Sequence, residues 1–525
     1  MRRSSLTGTW EIPASPTRDD GVGRSAKAIS PTAGVYDAGK SDECVVPMKH
    51  PNKGAVWSAE GVEGRRSTKR NVQEDAAIRT QSREIASTGL AGVREAAQRS
   101  KKTRFTALLH HVTVDLLRDS FLGLKRRAAP GVDGETWEQY EQDMEARLVQ
   151  LHESVHRGSY RAMPSKRTYI PKPDGSLRPL GIASLEDKIV QQAVVTVLNA
   201  IYEVDFLGFS YGFRPGRSQH DCLDALWVGI STTKVNWVLD ADIRGFFDTI
   251  DHGWLVRFIE HRIGDARILR LIQKWLRAGV LEDGVRKPTS VGTPQGAVIS
   301  PLLANIYLHY AFDLWAQQWR SKYALGQVIA VRYADDLVLG FQHLYDAKRF
   351  RYAFSQRLTR FGLSLHPEKT RLFRFGRFAA DACRKAGLRR PATFDFLGFT
   401  HICGRSRVGK FVLRRFSSTK RMRARLLAIK ASLRRIMHRP IGEQGRWLRS
   451  VVRGYFNYHA IPGNSMRLAG FRAAVVRLWL QALRRRGQRR RINWARFGRI
   501  AHLWIPAPHI LHPPPGDRFD AKYSR

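Results

Sequence analysis

Between Val328 and Phe341 the sequence reads VIAVRYADDLVLGF, two β-rich apolar runs separated by a polar Ala-Asp-Asp break. That pattern predicts a β-hairpin, and it carries two adjacent carboxylates, Asp335 and Asp336, to the tip. Paired carboxylates repel one another unless a cation offsets them. Turns also favour Asp for local hydrogen bonding, so the pair alone leaves a structural and a metal-binding reading open. A second acidic stretch narrows the choice. Asn236–Ile243 (NWVLDADI) reads as a strand whose Asp240 and Asp242 share one face, and Asp248 follows shortly after. Such a strand laid beside the hairpin gathers three carboxylates, the minimal oxygen-ligand set for two Mg²⁺ ions about 3.5–4 Å apart. Phosphoryl transfer needs little more from a protein than positioning and charge.

The rest of the chain fits a protein that handles polyanions. Lys and Arg number 89 against 46 Asp and Glu, a formal net charge of +43. So large an excess favours nucleic acid as the partner, ahead of an anionic membrane surface. The charge is not evenly spread: residues 401–500 hold 27 Lys and Arg and one acidic residue, Glu443. With 43% hydrophobic residues a wholly disordered chain is excluded. Four scattered cysteines without a CxxC pair exclude a disulfide scaffold and suit a reducing cytoplasm. No apolar run approaches a membrane span, and the basic N-terminus lacks the apolar core of a signal peptide.

Four regions are expected. Residues 1–100, rich in Gly, Ser, Thr, Ala and Arg, read as a disordered extension. Residues 101–400 read as an α+β domain in which strands and helices are interspersed. Within it, Ser184-Leu185-Glu186-Asp187 predicts a capping box, and Ile189, Val190, Ala193, Val194, Val197, Leu198 and Ile201 recur at helical spacing. Residues 401–500 read as an all-α basic bundle, with Met422, Leu426, Ile429, Leu433 and Ile436 as the apolar stripe of one helix. Residues 501–525, with Pro506, Pro508 and Pro513–Pro515, read as an extended tail.

A series of short motifs then resembles a known family, the reverse transcriptase–maturases encoded within bacterial group II introns. They are PGVDG at 130–134, IPKPDG at 170–175 with RPLGI at 178–182, and SYGFRPGRS at 210–218. DIRGFFD follows at 242–248 with IDH at 250–252. GTPQG at 292–296 runs on to ISPLLAN at 299–305. YADD at 333–336, HPEKT at 366–370 and FDFLGF at 394–399 complete the series. The resemblance covers about 125–400, and the basic helices behind are similar to the family's thumb/maturase domain. It implies a right-hand polymerase, fingers and palm, followed by that helical domain.

The family's residue roles carry over to these positions. Asp242, Asp335 and Asp336 would hold two Mg²⁺ ions, with Mn²⁺ as an alternative, helped by the Ile243 carbonyl. Lys172 and Arg178 would reach the triphosphate of an incoming nucleotide. Phe246, in preference to its neighbour Phe247, would lie beneath the nucleotide's sugar and exclude a 2′-hydroxyl. Gln295 would lie near the nascent base pair, and Lys369 would help protonate the departing pyrophosphate. Asp240 and Asp248 would be structural, Asp248 capping the following turn. In the basic region Arg484, Arg485, Arg486, Arg489, Arg490 and Arg491 would contact RNA phosphates. Trp447, Tyr455, Phe456, Tyr458, Trp479 and Trp494 divide between base stacking and bundle core.

The expected activity is RNA-templated DNA synthesis in a bacterial cytoplasm, with intron RNA, an RNA template, a DNA primer and a DNA target as partners. A homodimer is compatible with it. The alternative is a splicing-only maturase that binds intron RNA without polymerising. One position departs from the family: Ala297 stands where a second glycine is usual. Many relatives also end in an endonuclease with paired cysteines and a His-Asn-His site. No cysteine follows Cys403 here, so the expectation is that this activity is absent and the primer comes from nicks or nascent strands.

Overall fold

The computed structural model describes residues 80–171, 177–293, 295–486 and 492–523. The chain divides into two units, Met1–Val46 and Pro47–Arg525, and every described residue belongs to the second. In chain order the strands are β1 (Ser165–Pro171), β2 (Leu177–Ile182), β3 (Trp237–Asp242), β4 (Val280–Glu282), β5 (Val285–Lys287) and β6 (Val328–Tyr333). They continue with β7 (Asp336–Phe341), β8 (Arg371–Arg374), β9 (Phe394–Phe396), β10 (Phe399–Arg405) and β11 (Phe411–Ser417). They form three sheets, ordered β2-β1-β4-β5, β6-β7-β3-β8 and β11-β10-β9.

The second sheet is built from the two acidic stretches. β6 and β7 form the hairpin that the apolar alternation predicts, with Tyr333 opposite Asp336 and only Ala334 and Asp335 in the turn. β3 then pairs antiparallel with β7. Away from its acidic end the middle of this sheet is covered on both faces: Val238, Leu239, Val331 and Val338 are at most 1% exposed. One face rests on the helix Gln219–Thr232. There Gly229 lets the backbone come down onto Ile329, since a Cβ at that position would stand 2.8 Å from the Ile329 side chain.

The helix Leu185–Asp205 buries the predicted stripe, and Ser184 caps it by accepting from the Asp187 amide. The reciprocal half of the box is diverted. The Asp187 carboxylate accepts from the Tyr160 hydroxyl and from the Met163 amide at 3.0 Å. A carboxylate buried among apolar side chains takes whatever donors surround it, and these come from a distant segment.

Three regional expectations change. Residues 80–99 form a helix (Thr80–Arg99), while 1–79 lie outside the described residues. The strands run on to Ser417, so helices take over only at Thr419 rather than near 401. The tail is not simply extended: it ends in the helix Pro515–Lys522, started by Pro515 in its first turn with Asp517 close behind.

Between these lie the helices Thr419–Arg435, Ile441–His459, Ser465–Arg484 and Trp494–Trp504. They surround Trp479, Phe471, Val475, Leu448 and Val452, all fully buried. The Trp479 indole donates to the Gln444 side-chain oxygen at 3.0 Å. Of the six aromatics offered for base stacking, Trp479, Phe456 and Tyr455 are therefore core. Trp447 and Tyr458 are half-buried, and Trp494 alone among the six is exposed. Among the described residues no helix is long and apolar enough to cross a membrane.

Candidate active site

The β3–β7 register sets Asp242 directly opposite Asp336, and the two-residue turn places Asp335 next to both. The turn bends sharply at Ala334, whose φ of 57° lies in the left-handed region, a conformation costly for a residue with a Cβ. Three contacts hold it. Gly212, from the SYGFRPGRS motif, presses its backbone against the Ala334 amide so closely that a Cβ there has no room. Asn305, from ISPLLAN, donates to the Gly212 carbonyl at 2.7 Å. The Arg332 guanidinium donates to the Ala334 carbonyl at 3.0 Å.

Arg332 is fully buried, and its donors are spoken for by Asp313 (2.7 Å), Asn305 (3.0 Å) and Ser210 (2.6 Å). The sequence reading passed over this hub. Its signal was present: an arginine inside an otherwise apolar strand must bury a charge, and a buried guanidinium needs a carboxylate and further acceptors.

The three carboxylates feel one another. Burial first, and then the charge of Asp242, raises the Asp335 carboxyl above its ordinary value, partly countered by Arg178. Asp336 is solvent-accessible along part of its surface. Even so, the surrounding protein, Asp335 and Asp242 together push it up to about 7. Asp240 lies on the same face of β3, is raised mainly by burial, and accepts from Arg371 at 3.2 Å. Lys369, from HPEKT, donates to Asp242 at 2.9 Å. Its loop is anchored by the His366 amide on the Asp242 carbonyl at 2.8 Å.

These positions suit a cation. Hard carboxylate oxygens gathered at one point, two of them with raised affinity for protons, are the donor set that a divalent ion of the Mg²⁺ kind prefers. The side chains do not stand in a finished cage: among the described residues no three His, Cys, Asp or Glu groups have metal-holding spacing. Instead the Lys369 ammonium offsets Asp242. Ile243 faces Leu365 in an isolated bridge whose hydrogen bonds use the Asp242 carbonyl and the Arg244 amide. The Ile243 carbonyl is thus not an acceptor within that bridge.

The other expected site residues fall as follows. Arg178 is exposed on β2 and close enough to act on Asp335. Lys172 lies outside the described residues. Phe246 is 2% exposed and packs edge-on to Tyr307, so its ring is turned into the core. Its neighbour Phe247 is half-buried and carries the accessible ring. In a short helix started by left-handed Gly245, consecutive side chains diverge, and the apolar interior takes the first of the two.

Asp248 is corrected. The cap of the following helix is Asp251, which accepts from the Trp254 amide at 2.7 Å. Asp248 instead accepts from the Gln295 side-chain amide at 3.1 Å. Gln295 is therefore half-buried and held by a carboxylate. Its loop is fixed at both ends, where the Thr293 amide donates to the Phe247 carbonyl at 2.8 Å and the Gly181 amide to the Gln295 carbonyl at 2.6 Å. Gly296 has a φ of 110° and Ala297 has no positive φ. The alanine thus sits where a methyl group is tolerated, and it is 6% exposed.

In the basic region Arg484 and Arg485 are exposed and Arg486 half-buried. Arg484 donates to the Ile492 carbonyl at 3.1 Å and Arg486 to the His438 carbonyl at 3.3 Å. Arg489, Arg490 and Arg491 lie outside the described residues.

Residues 170–401 match the family described as reverse transcriptase (RNA-dependent DNA polymerase). The chain is 37% identical over 248 residues to Protein YkfC of Escherichia coli (strain K12), covering 42% of this chain and 65% of that protein. It is 41% identical over 180 residues to the group II intron-encoded protein LtrA of Lactococcus lactis subsp. cremoris, covering 34% of this chain and 30% of LtrA. An uncharacterised 91 kDa protein in the cob intron of Schizosaccharomyces pombe is 39% identical over 176 residues, 34% of this chain and 21% of that protein. The chain thus spans just under two thirds of the first relative and less than a third of the other two.

Proposed function

We propose that the chain, whose residues 170–401 match the reverse transcriptase family and resemble a group II intron-encoded protein, is an RNA-directed DNA polymerase that also binds its intron RNA. The observation that carries the polymerase reading is the register of Asp242 opposite Asp336, with Asp335 at the adjoining turn. A pure RNA-binding protein gains nothing from setting Asp335 and Asp336 where burial and neighbouring carboxylates raise their proton affinity.

In this reading the sheet β6-β7-β3-β8 is the palm, the β1–β2 hairpin belongs to the fingers, and the helices from Thr419 onward are the thumb/maturase region. Asp242, Asp335, Asp336 and the Ile243 carbonyl hold two Mg²⁺ ions. When bound, such ions activate the primer hydroxyl and neutralise charge on the leaving pyrophosphate.

The chain's own groups do the rest. Arg178 and Lys172 bind triphosphate oxygens. Phe247, rather than Phe246, supplies the ring under the sugar. Gln295, fixed by Asp248 and the Gly181 amide, flanks the new base pair. Lys369, held on Asp242 at 2.9 Å, would donate a proton toward the pyrophosphate once Asp242 served a metal ion instead. Arg484–Arg486, with Arg489–Arg491, hold intron RNA by its phosphates. RNA template, DNA primer and DNA target complete the partners.

Primer extension on an RNA template with deoxynucleotides and Mg²⁺ tests this. Asp335→Ala should lower extension by about a thousandfold or more, because a lost metal ligand forfeits several kcal/mol of charge stabilisation. Wild-type and variant proteins that are equally inactive, yet bind intron RNA tightly, would leave only a splicing role.

A further inference from the structure

Glu443 is the single acidic side chain in the basic stretch 401–500, and it does not serve an ion pair among the described residues. It opens instead onto a cavity of about 370 Å³ between the helices Thr419–Arg435 and Ile441–His459, lined also by Ser432, Arg435, Ile436, Arg439 and Trp447. That volume lies within the ~300–1,000 Å³ typical of small-ligand sites. Glu443 and Trp447 stand four residues apart on one helix and so share a face. Trp447 is half-buried. Part of its ring packs on the bundle core and part lines the cavity. The opposite wall carries two guanidinium groups, and that of Arg435 donates to the Ser432 hydroxyl at 3.3 Å.

We propose that this cavity takes one unpaired guanosine of a bound RNA, an inference that rests on the RNA-binding reading above. Each wall asks for a different part of the same ligand. The Trp447 ring offers a stacking face, which every base can use. The arginines suit the flanking phosphates. The carboxylate selects the base. An ionised carboxylate only accepts hydrogen bonds, through two oxygens side by side, so it fits an edge with two adjacent donors. Guanine offers that edge with N1–H and the N2 amino group. Adenine and cytosine place an acceptor beside their amino group, and uracil flanks its one N–H with two carbonyls. Against those edges a carboxylate meets repelling lone pairs.

The test measures binding of fluorescein-labelled uridine hexamers carrying one central guanosine, inosine or adenosine. It uses salt high enough to suppress non-specific phosphate contacts. Inosine keeps N1–H and loses the N2 amino group. Wild-type protein should bind the guanosine oligomer about tenfold more tightly than the other two, the scale of one two-point base contact. Glu443→Gln should bind all three alike. Because Glu443 also lies in the first turn of its helix, thermal unfolding of the variant verifies that it is folded. Trp447→Phe, which keeps a stacking face, should keep the guanosine preference.

Equal binding of the three oligomers by wild type, or an undiminished preference in Glu443→Gln, overturns the guanosine site while leaving RNA binding intact. If none of the oligomers binds even at low salt, the RNA-binding reading itself falls and takes this one with it.

Discussion

Phe246 and Phe247 are neighbours with different surroundings, the first 2% exposed against Tyr307 and the second half-buried. Truncating each should therefore do different things. Phe246→Ala empties part of the core and should cost about 3–5 kcal/mol of stability, read as a lower midpoint in urea. Phe247→Ala should leave that midpoint nearly unchanged and raise ribonucleotide incorporation, relative to deoxynucleotide, by roughly tenfold or more. The converse pattern would return the sugar-facing role to Phe246. Asp336 makes a prediction in pH. Its carboxyl titrates at about 7 in the folded chain, against about 3.9 unfolded. Between those values the native state binds the extra proton, so stability falls as pH rises through 7. The metal-free protein should thus unfold at a lower temperature at pH 8 than at pH 5.5. Asp336→Asn should remove most of that difference and raise the pH 8 midpoint by about 2–4 °C, allowing for solvent screening of a partly accessible group. If divalent ions bind here, their affinity should climb over the same interval, because binding requires the ionised form.

The helix Pro515–Lys522 ties the end of the described chain to the helix Gln219–Thr232. Its Arg518 donates to Asp224 of the helix Gln219–Thr232 at 2.8 Å, and Arg415 of β11 donates to the same carboxylate at 3.0 Å. Asp224 is 1% exposed. One buried carboxylate thus joins three elements far apart in sequence. Asp224→Ala would leave the buried guanidinium of Arg415 uncompensated and should cost about 3–5 kcal/mol. Arg518→Ala, which leaves the Arg415 pair in place, should cost less and should loosen the terminal helix first, seen as faster amide exchange over 515–523 than over 219–232. Elements of this kind mark the limit of what the sequence discloses. The hairpin at Val328–Phe341 and the helix after Ser184 were legible because alternation and helical spacing are local. The terminal helix was not, because prolines that begin a helix look the same as prolines that prevent one. β11 was missed because Arg414 and Arg415 submerged its strand pattern in a run of basic residues, although Leu413 and Phe416 face inward or half-inward. Arg332 was overlooked because its partners Asp313, Asn305 and Ser210 come from segments that no periodicity connects. At the candidate site the carboxylates were legible by residue type. The choice between Phe246 and Phe247, and the Asp248–Gln295 contact, depended on which way a short turn faces.

Over the whole chain the net charge is +43, yet Asp240, Asp242, Asp335 and Asp336 gather negative charge at one end of the sheet β6-β7-β3-β8. The two fields have separable consequences. The positive exterior draws in a polyanion at long range, and salt screens that attraction over about 8–10 Å near physiological ionic strength. The acidic cluster repels the same polyanion until cations or Lys369 and Arg178 offset it. RNA affinity and catalysis should accordingly respond to different residues. Replacing Arg484, Arg485 and Arg486 together with glutamine should weaken binding of folded RNA across all sequences. It should also flatten the plot of log affinity against log salt by up to about 2–3, since each of the three lost phosphate contacts removes about 0.7–0.9 from the slope. Two of these arginines already give one donor to a backbone carbonyl, so they reach phosphate with their remaining N–H groups and the slope change should fall short of that limit. Asp335→Ala, by contrast, should leave the slope unaltered while abolishing primer extension. Filter binding of both variants from about 50 to 400 mM salt makes the comparison. A triple variant with the wild-type slope would remove these arginines from the RNA interface. A shallower slope in Asp335→Ala would mean that the neighbourhood of the acidic cluster, and not the helical region, is where the RNA phosphates are held.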